Sequence, residues 1–301
     1  MTTTYANLVD EITLNLSGYT LRQDRTTHLT GDITATGLSL SLGSVTNIGK
    51  GVVEIDDELL WLDSYDRVSS TAIVAPYGRG YHGTTGAIHT TNTKVTIAPT
   101  FPKASIKKAI NDTIDAVFPN LFAVGIHTFT YSTVKTTYSL PAEAQTVLYV
   151  SYKPTGPTEE WMPLRNYRAD VFANTTSFTT GQSISVYDRI ESGRTIQVFY
   201  SKKPTTLTAS ASGDAFETVT GLPSSCKDVI VYGASYRLSS FVDPGRLNYS
   251  SAEADQADSK IQYGSGASTS RFLLALFQQR LNEETKKLRD IYPTRIHYTR
   301  Y

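Results

Sequence analysis

The chain has 301 residues, 40% of them hydrophobic, a size compatible with one large core or with about two domains. Lys plus Arg and Asp plus Glu both number 28, so no net charge draws the protein to DNA or to an acidic membrane. The single cysteine, Cys226, excludes an intramolecular disulfide and a cysteine zinc cluster.

The N-terminal stretch predicts a helix and carries no export signal. Apolar residues recur there at the spacing of one helix face, namely Tyr5, Leu8, Val9, Ile12 and Leu16. Gly18 follows them and is a suitable helix end. The stretch lacks a basic region and a small-residue cleavage site, and no apolar run approaches the roughly 18 residues of a membrane span. We therefore expect the protein to be made in the cytoplasm and to stay there until it joins an assembly.

The next segments predict an arm followed by a small β domain. Residues 20–42 show short alternations without a sustained apolar face, which predicts an extended arm or linker with room for one strand. Between Ser44 and Pro99 the hydrophobic period changes to two, and Asp56-Asp57 lie at the reversal of a predicted hairpin. Several short strands in this span predict a small antiparallel barrel or a curled sheet.

A second helix and a second β region follow. The stretch "FPKASIKKAINDTIDAVFP" has one apolar face, made by Ile106, Ala109, Ile110, Thr113, Ile114 and Val117. Pro119 ends this helix. From about Ile126 to Lys203 the chain is rich in β-branched and aromatic residues, which predicts a β-sandwich or jelly-roll module of about six to eight strands.

The remainder of the chain is predicted to be helical. Ser225 and Asp228 stand at the spacing of a capping box, and a polar, alanine-rich stretch spans residues 249–262. The last helix has apolar residues close to heptad spacing, namely Leu274, Phe277, Leu281, Leu288 and Ile291. Glu283 and Lys287 are one turn apart and are predicted to pair.

The order of these elements predicts an α+β fold with a helical bundle core of about four helices. An isolated amphipathic helix is only marginally stable, so the scattered helices are expected to converge, with the β modules inserted as a small β-barrel-like unit and a larger β-sandwich. The predicted domains are a bundle core of residues 1–20, 100–120 and 222–292, a small antiparallel β domain of residues 43–99, a β-sandwich insertion of residues 121–204, and a C-terminal tail of residues 293–301.

One glycine motif superficially resembles a nucleotide-binding loop. Gly78, Gly80 and Gly83 spell G-x-G-x-x-G, but a phosphate loop requires a helix to begin directly after it. Here a threonine-rich stretch returns to a strand, and no acidic residue stands about 20 positions later. We therefore interpret the motif as a glycine-shaped turn and predict no cofactor.

The histidines and the acidic run give no convincing metal site. His82 and His89 are seven positions apart, but no carboxylate lies between Arg67 and Asp112 to complete a ligand set. A hydrogen bond from such a histidine to a backbone carbonyl is the preferred interpretation. The run Asp56-Asp57-Glu58 lacks the spaced oxygen ligands of a calcium loop and is predicted to be a solvated hairpin tip.

No catalytic arrangement emerges from the remaining residues. Cys226 stands at an expected helix start, where its pKa could be lowered, but a small buried residue is the preferred interpretation. Lys103, Lys107 and Lys108 fall opposite the apolar face of the second helix and predict a solvated surface, with a subunit or DNA contact as the alternative. The sequence therefore predicts a protein that is not an enzyme.

Two stretches carry a family resemblance. One reads "GRGYHGTTGAIHTTNTKVTI" and is followed by "FPKASIKKAINDTIDAVFP"; the other is the close "STSRFLLALFQQRLNEETKKLRDIYPTRIH". They resemble the head-to-tail adaptor (connector) proteins of tailed bacteriophages, in which an R-G-x-x-G-T-T-x-x-x-H turn closes a small β domain beside a helical core. No motif in the predicted sandwich contributes to this resemblance.

The resemblance implies a virion structural protein at the head–tail junction. It implies a ring of about twelve identical subunits that binds below the portal protein, extends the channel through which genomic DNA passes without sequence-specific binding, and docks a tail or neck protein. It also implies that the C-terminal segment reaches the portal or a neighbouring subunit. The matching residues in this segment are Tyr292, Arg295, His297, Tyr298 and Tyr301, which have no local core of their own to join.

Two rival functions stay open at this point. In the first, the protein attaches a tail, baseplate or fibre component, and its sandwich binds carbohydrate or protein. In the second, the protein is a virion-borne glycan hydrolase, which requires two carboxylates facing a cleft. The candidates in the sandwich are Glu143, Glu159, Glu160, Asp170, Asp188 and Glu191. No spacing among them singles out a pair.

Overall fold

The fold is mixed α+β, with five helices and several antiparallel sheets in the part of the chain that the structure describes. The structure is a computed structural model, and it describes residues 3–18, 24–154, 160–208, 213–240 and 265–293. The helices are α1 (Tyr5–Ser17), α2 (Lys103–Ala116), α3 (Phe216–Thr220), α4 (Lys227–Ser239) and α5 (Ser265–Ile291). None of these helices is both long enough and apolar enough to cross a membrane. The stretch 249–262, predicted to be helical, lies outside the described residues.

The N-terminal half contains a six-stranded antiparallel sheet in the order β1-β6-β3-β4-β5-β2. Its strands are β1 (Arg25–His28), β2 (Ser39–Ser41), β3 (Gly51–Ile55), β4 (Glu58–Asp66), β5 (Thr71–Val74) and β6 (Lys94–Ile97). The two outer strands approach each other just beyond their ends, where Leu29 and Leu42 form an isolated bridge. The sheet is therefore curled, but it forms no closed barrel among the described residues. The prediction of an arm at residues 20–42 is corrected, because this segment contributes two strands to the sheet.

The second β region contains two antiparallel sheets. Its strands are β7 (Ala123–Thr130), β8 (Thr137–Ser139), β9 (Thr146–Tyr152), β10 (Met162–Pro163), β11 (Tyr167–Asp170), β12 (Ser183–Val186) and β13 (Thr195–Lys202). One sheet has the order β10-β9-β13-β7 and the other the order β11-β12-β8. Inward-facing residues of both sheets, such as Val150, Val198 and Ile184, share one buried apolar cluster. This two-layer arrangement is that of a small sandwich. We call it the two-sheet module.

The four longer helices contribute to a single apolar cluster. Leu8 of α1, Ile110 of α2, Val229 of α4 and Leu288 of α5 all belong to it, and α4 contacts each of the other three. Helices α1 and α2 place residues three or four apart on their buried faces, as the sequence predicted, whereas α4 is buried on most of its sides. Residues that are far apart in the sequence therefore pack together in one apolar cluster between the four helices.

Three details of the helices differ from the sequence predictions. Ile291 is exposed, and Leu273 is buried on α5 instead. Ser225 does not cap α4, because its hydroxyl donates to Glu284 of α5 at 2.6 Å. The predicted partners Glu283 and Lys287 bind other residues: Glu283 binds Arg280, and Lys287 binds Glu284. Only Ser225 finds its partner on another helix, whereas Glu283 and Lys287 each bind a residue three positions earlier on α5 itself.

Candidate functional site

The loop between β5 and β6 contains the glycine motif, and it folds as a compact turn. Gly80 and Gly83 have positive φ angles of 61° and 81°, which glycine adopts without steric cost. A Cβ on Gly78 would lie 2.7 Å from the carbonyl oxygen of Trp61. A single 3₁₀ turn at Tyr81–Gly83 follows, and the chain then returns to β6. The interpretation of the motif as a glycine-shaped turn is thereby confirmed.

A buried carboxylate, Glu58, holds this loop in place. Its side chain is fully buried and accepts two parallel hydrogen bonds from Arg79, at 2.7 Å to Nε and 2.8 Å to Nη2. The backbone N–H groups of Gly80 and Ala87 donate to the same carboxylate at 3.0 and 2.9 Å. A bidentate arginine contact together with backbone donors satisfies a carboxylate that has been removed from water.

Arg79 extends the network to other segments of the β domain. Its Nη1 donates to the carbonyl oxygens of Thr34 and Gly37 at 2.6 and 2.8 Å, and its Nη2 donates to the carbonyl of Ala87 at 2.6 Å. One guanidinium therefore joins the loop after β1, the loop after β5 and the start of β4. A lysine could not make these contacts, because its ammonium group lacks the planar, forked set of N–H donors of a guanidinium group.

His89 completes the network. It is buried, with Nδ1 at 2.9 Å from Asp56 and Nε2 at 2.9 Å from Glu58. The prediction that Asp56, Asp57 and Glu58 form a solvated hairpin tip is therefore wrong for Glu58, and His89 binds two carboxylates instead of a backbone carbonyl. His82 lies on the exposed side of the loop with its ring 4.1 Å from that of Tyr81. Within the described residues no group of three or more histidine, cysteine and carboxylate side chains is arranged to hold a metal ion.

The electrostatics of the network favour the ionised carboxylate of Glu58. Burial by itself raises the pKa of this group, but the hydrogen bonds from Arg79, Ala87, His89 and Gly80 outweigh burial and lower the pKa to about 2. We name Glu58, Arg79, His89 and Asp56 the Glu58 network.

The same hairpin also contacts helix α2. Glu54 of β3 accepts a hydrogen bond from the backbone N–H of Lys103 at 2.5 Å, which satisfies a free donor of the first turn of α2. Burial raises the pKa of Glu54, and this hydrogen bond opposes that change. Asp57 binds the ammonium group of Lys107 at 2.7 Å, and this ammonium also lies 5.3 Å from the ring centre of Tyr5 on α1. The hairpin therefore contacts α2 directly, and Lys107 of α2 connects this contact to α1.

The three lysines of α2 do not form one solvated surface. Lys107 is buried, contrary to the prediction, while Lys108 is exposed and pairs with Asp112 on its own helix. An open groove lies beside Lys108, between α2 and the six-stranded sheet. Its lining includes Val52, Leu59, His82, Ala98, Pro102 and Lys108.

The C-terminal contact residues are only partly within the described chain. Tyr292 is half-buried against the helical cluster, its N–H donates to the carbonyl of Leu288 at 2.9 Å, and its ring centre lies 6.4 Å from that of Phe122. The prediction that these residues have no local core to join is therefore wrong for Tyr292. Arg295, His297, Tyr298 and Tyr301 lie outside the described residues.

Cys226 is a buried residue at the N-terminus of α4. Burial, together with the nearby negative charge of Glu284, raises the pKa of its thiol to about 12. The thiolate is the reactive form of cysteine, so this environment makes Cys226 unreactive. The preferred interpretation of Cys226 as a small buried residue is confirmed.

Sequence reasoning missed Glu58 and Arg79 as the centre of the site. The two residues are 21 positions apart, and no local period connects them. The available signal was a carboxylate that opens the apolar strand "ELLWL", where a charged side chain needs a partner.

A protein-family model described as SU10 adaptor protein matches residues 88–289, which is more than half of the chain. The matched region begins beside His89, in the loop of the Glu58 network, and includes α2, the two-sheet module, α4 and most of α5. No curated protein matches the chain.

Proposed function

The chain belongs to the SU10 adaptor protein family, which makes it a phage adaptor-type structural protein, and from this premise we propose that it is a head-to-tail adaptor. Twelve copies form a ring below the portal protein, extend the DNA channel, and present a docking surface to a tail or neck protein. The family match is the observation that carries the proposal, because it spans both the helices and the two-sheet module. The protein accordingly resides in the virion, at the head–tail junction.

The arrangement of the helices supports this proposal. The four longer helices share one apolar cluster, and Glu54 and Asp57 of the β domain contact α2. Rings of identical subunits need subunits whose modules keep one relative orientation, because each contact is repeated around the ring. The zero net charge suits a channel through which DNA passes without being held.

The carboxylates of the two-sheet module support a structural role without catalysis. Glu143 accepts a hydrogen bond from the hydroxyl of Tyr200 at 2.7 Å, and Asp188 accepts one from the side chain of Asn166 at 2.5 Å. Both carboxylates therefore accept hydrogen bonds from residues of the two-sheet module, as carboxylates with a structural role commonly do. Glu159 lies outside the described residues. We therefore propose a protein without enzymatic activity that needs no cofactor.

The adaptor role is tested by mixing the purified protein with isolated portal rings of the same phage. We expect electron micrographs to show a closed ring of about twelve subunits seated on one face of the portal. The portal preparation should first be shown to consist of intact rings. A chain that stays monomeric in the presence of intact portal rings contradicts the proposal.

The C-terminal contact is tested separately. Replacing both Tyr298 and Tyr301 by serine should weaken portal binding at least tenfold, about 1.4 kcal/mol, because aromatic side chains dominate interface energetics. Replacing Thr294 and Thr299 by serine changes the same segment without removing an aromatic ring and serves as the matched control. If the two variants bind the portal with equal affinity, the C-terminal tail is not part of the proposed interface.

A further inference from the structure

Strand β7 forms an unprotected outer edge of the two-sheet module. Among the described strands it pairs with β13 alone, in a register that runs unbroken from Ala123 to Thr130. Its eight residues include no lysine, arginine, carboxylate or proline, and no bulge interrupts its pairing with β13. A long, regular and uncharged edge of this kind is a template for pairing with another strand.

The other outer strands in the described part of the chain are shorter or carry protecting residues. Strand β10 has two residues, one of which is Pro163, and β8 has three residues. Strand β11 presents the charged side chains of Arg168 and Asp170. The outer strands of the six-stranded sheet are bridged to each other just beyond their ends. Strand β7 is therefore the one long unprotected edge among the described strands.

The hydrogen bonds to β13 determine which backbone groups of β7 point outwards. The N–H of Tyr131 donates to the carbonyl of Arg194 at 2.7 Å, so the odd-numbered residues of β7 face β13. Ile126, Thr128 and Thr130 consequently direct their N–H and carbonyl groups away from β13, to the side where no described strand lies. All three residues are exposed, so this half of the edge is accessible.

The apolar layer between the two sheets is incomplete at the same edge. His127 and Phe129 lie on the inner face of β7, opposite the buried residues Val198 and Ile196 of β13. Both rings are only half-buried, although the ring of Phe129 stacks 4.3 Å from that of Tyr138 in the core of the module. Half-exposed aromatic rings beside outward backbone groups are typical of a surface that another chain covers.

The edge is complementary to a second copy of itself. Antiparallel pairing of two β7 strands about a twofold axis at Thr128 places Thr128 opposite its equivalent and Ile126 opposite Thr130 of the second copy. These residues all point outwards, so each such pair exchanges two hydrogen bonds. In the same register Phe129 lies opposite His127 of the second copy. Cross-strand pairs of β-branched and of aromatic residues stabilise a sheet, and no like charges meet in this arrangement.

We propose that two copies of the protein form a dimer by antiparallel pairing of their β7 strands about a twofold axis at Thr128. The occupant of the edge is a second copy because the edge is uncharged and matches itself in both its hydrogen bonds and its side chains. A twofold contact differs from the head-to-tail contacts that repeat around a cyclic ring. The dimer is therefore the form of the free protein before it joins an assembly.

Charge substitutions at Thr128 test the pairing in the full chain without portal. Analytical ultracentrifugation should show a dimer of the unsubstituted protein at micromolar concentrations. Thr128→Lys or Thr128→Glu places two like charges opposite each other at the twofold axis and should weaken the dimer at least about tenfold. An equimolar mixture of the two variants should dimerise again, because opposite charges then meet. Val134→Lys is the matched control, since Val134 lies in the same module, is 95% exposed and is off the edge.

The outcomes of this experiment separate the proposed dimer from the alternatives. Recovery in the mixture shows that the single variants are folded and that residue 128 of one copy meets residue 128 of the other. A monomeric unsubstituted protein, a dimer that Thr128→Lys does not weaken, association beyond the dimer, or a mixture that stays monomeric overturns the proposal. None of these outcomes depends on whether the protein binds a portal, so the adaptor role is tested separately.

Hydrogen exchange locates the contact on β7. In the dimer, the amides of Ile126 and Thr130 should exchange at least about tenfold more slowly than in Thr128→Lys at the same concentration, because they donate to the second copy. The amide of Val198, in the buried strand β13, should exchange equally in both proteins and serves as the internal control. Equal exchange of Ile126 and Thr130 in the two proteins would show that the copies associate through another surface and would overturn the proposal.

Discussion

At the scale of single residues, Glu58 determines how the loop between β5 and β6 is held. Its carboxylate accepts hydrogen bonds from Arg79, Gly80, Ala87 and His89. The backbone there includes left-handed positions such as His82, which a free loop seldom populates. The loop conformation thus depends on one buried charge.

We expect Glu58→Gln to lower the free energy of unfolding by about 3 kcal/mol at neutral pH. The substitution keeps the shape of the side chain, but it leaves the buried guanidinium of Arg79 without a negative partner. Chemical denaturation measures the loss. Asp63→Asn is the matched control, because Asp63 pairs with Lys50 at the exposed surface and should contribute less than about 1 kcal/mol.

The same variant should also show a distinct pH dependence. The pKa of Glu58 lies at about 2 in the folded protein against an ordinary value of 4.5, so its stabilisation is present above pH 4.5 and is lost as the pH falls towards 2. The pKa of Glu54 is raised, so its effect on stability changes with pH in the opposite direction. This effect is the same in wild type and in Glu58→Gln. The stability difference between wild type and Glu58→Gln should therefore shrink between pH 6 and pH 3. A difference that is constant over this range contradicts the assigned charge state.

At the scale of secondary-structure elements, the β3–β4 hairpin connects the six-stranded sheet to the helices. The sequence identified the hairpin and its reversal at Asp56-Asp57, as well as the helix that begins at Lys103. It did not identify the contact between them, because Asp57 and Lys107 are 50 positions apart and both types of side chain are usually solvated.

A double-mutant cycle measures this contact. For Asp57→Asn and Lys107→Met we expect a coupling energy of about 1–2 kcal/mol, because the ammonium of Lys107 is nearly buried and the pair is only partly hydrated. Lys108 and Asp112, a solvated pair on α2, should give about 0.3–0.5 kcal/mol in the same experiment. Similar coupling energies for the two pairs would show that the Asp57–Lys107 pair does not hold the hairpin against α2.

At the scale of the whole molecule, three helices distant in sequence meet at one glycine. A Cβ on Gly233 of α4 would lie 2.4 Å from the methyl group of Thr113 on α2 and 2.9 Å from the ring of Phe277 on α5. The close approach of these helices therefore requires the absence of a side chain at this position.

We expect Gly233→Val to destabilise the protein by about 1–3 kcal/mol, because the added atoms force the helices apart. The gain in helix propensity, a few tenths of a kcal/mol, is too small to offset the overlap. Unfolding in urea measures the change. Gly49, whose surroundings are open, provides the control: Gly49→Val should stay within about 0.5 kcal/mol of wild type. Equal effects of the two substitutions would contradict the packing described for Gly233.

The sequence by itself did not show that residues 20–42 contribute two strands to the six-stranded sheet, but it determined where α1, α2 and the β3–β4 hairpin lie. These features depend on hydrophobic periods and on turn residues, which act within a few positions. Tertiary structure alone decided the roles of Glu58, Lys107 and Gly233. Each of these residues depends on partners that are 20 or more positions away, and a charged side chain becomes buried only when the fold brings its counter-charge to it.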